Sequence, residues 1–135
     1  MNIDEDFLKS IGITDEYFLI SQTDDRGYIT SCNKSFCKVS GYTESELIGK
    51  PHNVIRHKDM PNSAFESMWE TIKRGDVWSG YVKNRRKNGR FYWVHSFVFP
   101  YKSDKGKIIY ISYRRQASTK EIKDAMKQMG IKNEY

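Results

Sequence analysis

Cysteine is nearly missing from this chain: there are two in 135 residues, Cys32 and Cys37. Two thiols cannot build a disulfide framework, and their C-x4-C spacing matches no strong metal motif. They are expected to be reduced packing residues. Long apolar runs are also lacking. None approaches the ~20 residues needed to cross a bilayer, and the acidic start, Met1 to Asp6, is unlike a signal peptide. The expectation is a soluble, cytoplasmic chain without a membrane span of its own. There is no internal repeat and no low-complexity linker. No nucleophile–base pair stands out that would carry turnover, so the chain is not expected to be an enzyme. No recognised nucleic-acid module accompanies its positive charge, so nucleic acid is not an expected partner.

What is present is a folded composition: 38% apolar, 14% aromatic and a net charge of +6. A chain of this length suits one domain with one core. The charge favours an anionic partner or is simply a solvated basic surface. Ile3, Phe7, Leu8 and Ile11 form a helical stripe. Tyr17–Gln22 and Tyr28–Cys32 read as strands around an Asp24–Gly27 turn. Thr43–Glu46 is a capping box that opens a short helix ending near Gly49. Phe65, Met68, Trp69 and Ile72 give a second helical stripe after Pro61. Trp78–Arg86, the Asn88–Gly89 turn and Phe91–Tyr101 read as a hairpin, followed by a strand over Lys107–Arg115. Ser118–Glu121 is another capping box, with Ile122, Ala125, Met126 and Met129 on one helix face. The expected fold class is α+β: a five-stranded antiparallel sheet with short helices over one face, plus N- and C-terminal amphipathic helices. Such an arrangement leaves a pocket between the layers.

The segment Pro51–Pro61 packs His52, Asn53, Arg56, His57 and Asp59 between two prolines, a dense set of donors and cations with little to bury. A loop of this kind can grip an anionic, hydrogen-bonding ligand. Asp59 also stands where an N-cap for the following helix is expected.

Asn33-x-x-Phe36, the Gly41-Tyr42-Thr43-x-x-Glu46-Leu47-Ile48-Gly49 run, Trp78-Ser79-Gly80, and Asn88-Gly89 followed by Tyr92-Trp93 together resemble a PAS domain over roughly residues 15–117. Residues 1–14 are then an N-terminal cap helix, and 118–135 a C-terminal helix or linker to a signalling partner. The narrower match of Pro51–Pro61, with Trp69, Trp78–Gly80 and Lys83–Gly89, resembles the FAD-binding PAS domain of bacterial aerotaxis and energy-taxis receptors. That resemblance implies non-covalent FAD, a role in redox or oxygen sensing, and a membrane-bound, methyl-accepting chemotaxis-type transducer as partner, in cis or as a separate chain. It also implies recruitment to the inner face of the membrane. A homodimer is expected. Haem- or small-metabolite-binding sensors and cofactor-free interaction modules are the alternatives.

The cofactor-binding set implied is Asn33, Asn53, Arg56, His57, Asp59, Trp69, Trp78, Asn84, Tyr92, Val94, Ser96 and Arg114. Tyr92, Val94, Ser96 and Val98 are expected to face the pocket, with Phe91, Trp93, His95, Phe97 and Phe99 behind them, covered by terminal helices or a second subunit. By resemblance to LOV photoreceptors, Asn84 matches an asparagine that bonds the flavin ring, Arg114 falls on a flavin-facing glutamine, and His52 on the photoreactive cysteine, so no light-driven adduct is expected. Arg114 near the ring edge would stabilise negative charge, unless it simply pairs with a carboxylate. Lys83, Arg85, Arg86, Lys87 and Arg90 make a basic hairpin, read as a solvated edge or a docking surface for an acidic partner.

Overall fold

The computed structural model describes residues 18–131. The stripe of Ile3, Phe7, Leu8 and Ile11 lies outside the described residues. Within them, strands β1 (Leu19–Thr23) and β2 (Ile29–Cys32) form the first hairpin. Helices α1 (Lys34–Ser40), α2 (Glu44–Leu47), a 3-10 turn (His52–Ile55) and α3 (Asn62–Lys73) follow. The long strands β3 (Trp78–Arg85), β4 (Phe91–Lys102) and β5 (Ile108–Gln116) lead to α4 (Thr119–Met129). The strands make one antiparallel sheet in the order β2-β1-β5-β4-β3.

Local chemistry accounts for these boundaries. Thr43 and Ser118 each accept from a backbone N–H three residues on, and Glu46 and Glu121 reach back, so both capping boxes form. Asn33 caps α1 and also binds β1: its Oδ1 accepts from Ile20 N at 3.1 Å and its Nδ2 donates to the Phe18 carbonyl at 2.9 Å. Gly41 and Gly130 end α1 and α4 with positive φ. The expected Asp59 cap is corrected: the residue before α3 is Pro61, with no side-chain cap. Asp59 instead pairs with Lys83 (Oδ2–Nζ 2.8 Å). The wrap of the loop round the β3 edge carries it there.

Helices α1, α2 and α3 cover one face of the sheet. Leu19, Ile29, Phe36, Leu47, Ile55, Val82 and Val94 are buried beneath the α1–α2 side, and Ile72, Val98 and Tyr110 beneath α3. On the opposite face, α4 lays Ala125 and Met126 over Trp93. Arg115 pairs with Glu121 (2.9 Å), and the Tyr81 hydroxyl donates to the same carboxylate at 2.6 Å. Beyond the helix, that face carries a half-buried aromatic run in which His95, Phe97 and Tyr113 lie ring to ring.

The basic hairpin is not a uniformly solvated edge. Lys83 is 1% exposed, the Arg86 guanidinium donates to the Val39 carbonyl at 2.6 Å, and Lys87 pairs with Glu46. Arg85 and Arg90 remain exposed.

Candidate ligand site

The Pro51–Pro61 segment crosses the helical face from one edge of the sheet to the other. At one end Pro51 bridges Tyr28, and His52 N donates to the Gly27 carbonyl at 3.0 Å. At the other, Arg56 bridges Asn84 and His57 N donates to the Lys83 carbonyl at 3.3 Å. Between this strap, α3 and the sheet lies a cavity of about 230 Å³. Asn53 and Arg56 line it from the strap, Phe65, Met68 and Trp69 from α3, and Trp78, Val82, Asn84, Ser96, Ser112 and Arg114 from the sheet. Such a space, apolar with a few converging polar groups, is what a small planar ligand requires.

Strand register brings the polar wall together. Asn84 faces Tyr92 across β3–β4, Gly80 faces Ser96, and Ser96 faces Arg114 across β4–β5. Trp78 and Gly80 are two apart on one strand and share a face. A Cβ on Gly80 would stand 2.7 Å from the Trp78 ring. Glycine here lets the indole lie along the strand at the cavity end. Gly80→Ala is therefore expected to displace the indole and reshape the cavity, seen as a shifted tryptophan emission in a protein with unchanged far-UV circular dichroism.

Arg114 is the dominant charge. It is 3% exposed, and its guanidinium donates to the Leu19 carbonyl (3.3 Å), the Ser21 hydroxyl (2.8 Å) and His52 Nε2 (2.8 Å). All three acceptors are neutral, and no carboxylate among the described residues pairs with it. Burial lowers its pKa to about 10, leaving it charged at neutral pH. Its carbon also lies 5.0 Å above the Phe36 ring. A cation held this way favours a ligand with negative charge or electron-rich oxygens at that wall.

His52 answers to Arg114. Since Arg114 can only donate, Nε2 must accept, and the neutral imidazole carries its proton on Nδ1. The Ser21 hydroxyl shares the same acceptor at 3.0 Å. Burial first, then the Arg114 charge, pushes the His52 pKa down to about 3. The unfolded chain therefore binds this proton near pH 6.5 and the native protein only near pH 3. Stability is held above pH 6.5 and lost as pH falls toward 3, by up to about 5 kcal/mol from this group. Urea midpoints measured between pH 7 and pH 4 should fall more steeply for the native protein than for His52→Gln.

Arg56 stacks on Phe65, its guanidinium carbon 3.5 Å from the ring centre, while its buried Nε has no partner. Asn84, 4% exposed, lies near the Tyr92 hydroxyl, whose pKa burial raises and which completes no hydrogen bond. Five of the residues expected here stand away from the cavity wall. Tyr92 and Val94 share the inward face but pack into the core beside the cavity. Asn33 is occupied as a cap and strand tie. His57 and Asp59 lie beyond the β3 edge: the His57 ring meets Phe91 edge-on at 6.1 Å, and His57 Nδ1 accepts from Asp59 N at 3.0 Å. Val98 lines the cavity with Ser96, as their two-residue alternation predicts, and Ser112 was legible from the same rule, two residues before Arg114. Ser21 was not, because its part depends on β1 lying beside β5.

Comparison with known proteins agrees with this geometry. The sequence profile of the PAS fold matches residues 29–113. The chain is 51% identical over 111 residues to the aerotaxis receptor of Escherichia coli (strain K12), covering 82% of this chain and 22% of that receptor. It is 28% identical over 100 residues to the nitrogen fixation regulatory protein of Klebsiella pneumoniae, covering 73% and 20% respectively. It thus spans about a fifth of the length of these relatives. Among solved structures, the dark form of the blue-light photoreceptor Aureochrome1 LOV superposes with a TM-score of 0.73 at 20% identity, over 97% of this chain and 96% of that one. A light-oxygen-voltage domain studied with a flavin analogue gives 0.71 at 21% identity, over 91% and 90%. Those two structural likenesses concern the fold alone. With the profile covering most of the sheet and the strap over its cavity, this chain belongs to the PAS fold family.

Proposed function

We propose that this domain binds FAD non-covalently in the strap cavity and acts as a redox or oxygen sensor in aerotaxis, signalling through a transducer. The observation that carries this reading is Arg114, a buried cation with no carboxylate partner among the described residues, set on a cavity wall with Asn84 and Ser96. Likeness to the aerotaxis receptor supports it.

Asn84 offers both a donor and an acceptor to a pyrimidine-like ring edge. Arg114 supplies fixed positive charge at the same wall. Val82, Val98 and Trp78 supply the apolar surface. Arg56 has an unpartnered Nε and further N–H donors suited to phosphate oxygens. When bound, FAD would supply the electron-transfer chemistry; the protein binds it and sets the charge around it. Haem ligation by His52 is disfavoured, because its Nε2 lone pair already accepts from Arg114 and Ser21. The domain is read as a non-enzymatic, cytoplasmic homodimer that a membrane-bound transducer recruits. Among the described residues no helix is long and apolar enough to cross a membrane.

Titrating cofactor-stripped protein with riboflavin, FMN and FAD tests the assignment. FAD should bind tightest, and Arg56→Ala should weaken FAD by ten- to a hundredfold, roughly 1.5–3 kcal/mol, while barely changing riboflavin. Equal affinity for all three would remove Arg56 from the phosphate role.

A further inference from the structure

The fold brings its only two cysteines together. Cys32 ends β2, Cys37 lies one turn into α1, and Asn33 turns the chain between them. Their sulfurs stand 3.7 Å apart, and both residues are half-buried, within reach of small molecules. A closure of roughly 1.7 Å brings such a pair to bonding distance. Neither thiol has a part in the cavity wall.

We propose that Cys32 and Cys37 form a reversible dithiol–disulfide couple, a second redox site oxidised by peroxides and separate from the cavity ligand. The sulfur of Cys37 attacks a peroxide oxygen; the O–O bond breaks, water or an alcohol leaves, and Cys37 becomes a sulfenic acid. Cys32 then attacks that sulfur; the S–O bond breaks, the S–S bond forms, and the hydroxyl leaves as water with the Cys32 proton. Two electrons pass from the sulfurs to the peroxide, and a dithiol reductant returns them. Burial and the neighbouring Cys37 push the Cys32 thiol up to about 12, so it keeps its proton at neutral pH and leaves the first attack on peroxide to Cys37.

The couple touches the cavity network by two routes. Cys32 faces Ser21 across β1–β2, and the Ser21 hydroxyl holds both Arg114 and His52. Phe36, beside Cys37, presents its ring to the Arg114 guanidinium and to His52. Drawing α1 toward β2 therefore shifts the surroundings of Arg114.

The test is treatment of the full chain with hydrogen peroxide, alkylation of remaining thiols, and tryptic digestion, which cleaves at Lys34 between the two cysteines. Both thiols should disappear together, with the chain lighter by about 2 Da and the two peptides joined. Dithiothreitol should restore both. Cys32→Ser should give no joined peptides and leave Cys37 oxidised singly, and Cys37→Ser should leave Cys32 reduced. Thiols that stay fully alkylatable, oxidation of one sulfur without linkage in the native chain, or linkage only between two chains would each overturn the proposal. Measurement on the native chain decides even where a variant fails to fold.

Discussion

Replacing Arg114 with glutamine is expected to lower the midpoint potential of the proposed flavin by roughly 80 mV while the domain stays folded. Reduction adds electrons to the ring, and a fixed guanidinium on the cavity wall stabilises the more negative form over the oxidised one. The environment is buried, so the interaction is only weakly screened. A charge-assisted contact of this kind contributes on the order of 2 kcal/mol, which for one electron corresponds to roughly 80 mV. Glutamine keeps a donor for the Ser21 hydroxyl and the Leu19 carbonyl, and it removes an uncompensated buried cation, so the fold should tolerate it. Arg114→Lys should shift the potential much less, because the charge survives although the fork of donors does not. A second signature is independent of the flavin. Without the Arg114 charge, the His52 pKa should rise from about 3, followed by its imidazole resonances in NMR titration. An unchanged potential in Arg114→Gln would mean that the cation serves only to hold His52 and the strap.

Asp59→Ala is expected to destabilise the domain by about 3–5 kcal/mol. Lys83 is 1% exposed, and its ammonium lies 2.8 Å from Asp59 Oδ2 and 4.3 Å from the centre of the Phe91 ring. Removing the carboxylate leaves a buried ammonium with no counter-charge among the described residues. The alanine variant should therefore show a strongly lowered urea midpoint. Adding Lys83→Met should recover most of that loss, because the apolar stem is kept and the stranded charge is gone. Lack of recovery would show that Asp59 acts through the backbone of the strap and not through Lys83. The same pair has a pH signature. Lys83 holds the Asp59 pKa below its ordinary value, so its stabilisation is present above the unfolded pKa, near 4, and is lost as pH falls through the native value. FAD content should fall with stability in Asp59→Ala and return in the double variant, marking Asp59 as a positioning residue.

Much of this was readable in advance, for a physical reason. Strand alternation is a strict two-residue rule, so once Asn84 was given a face, Ser96 followed on β4, and Arg114 sits opposite it on β5. Capping boxes are equally local, and both formed where Thr43 and Ser118 stood. The misplacements came where the chain wraps around an edge. Arg56 is extended at the end of the 3-10 turn, so Arg56 points into the cavity while His57 and Asp59 lie outside it. No periodicity in Pro51–Pro61 marks that crossing. Lys83 was read as part of a solvated hairpin because its neighbours in sequence are charged; its burial depends on Asp59, more than twenty residues earlier. The Arg114–His52–Ser21 cluster was invisible for the same reason, since it joins β5, the strap and β1. Tyr92 and Val94 show the remaining limit: alternation gives the face of a residue, but not how far along that face a cavity extends.

The most direct measurement is the absorption spectrum of the purified chain, with the released chromophore identified after denaturation. The proposed FAD site requires flavin bands near ~450 nm and stoichiometric release of FAD. A folded, colourless protein that takes up no added FAD, or a Soret band in place of the flavin bands, would contradict it.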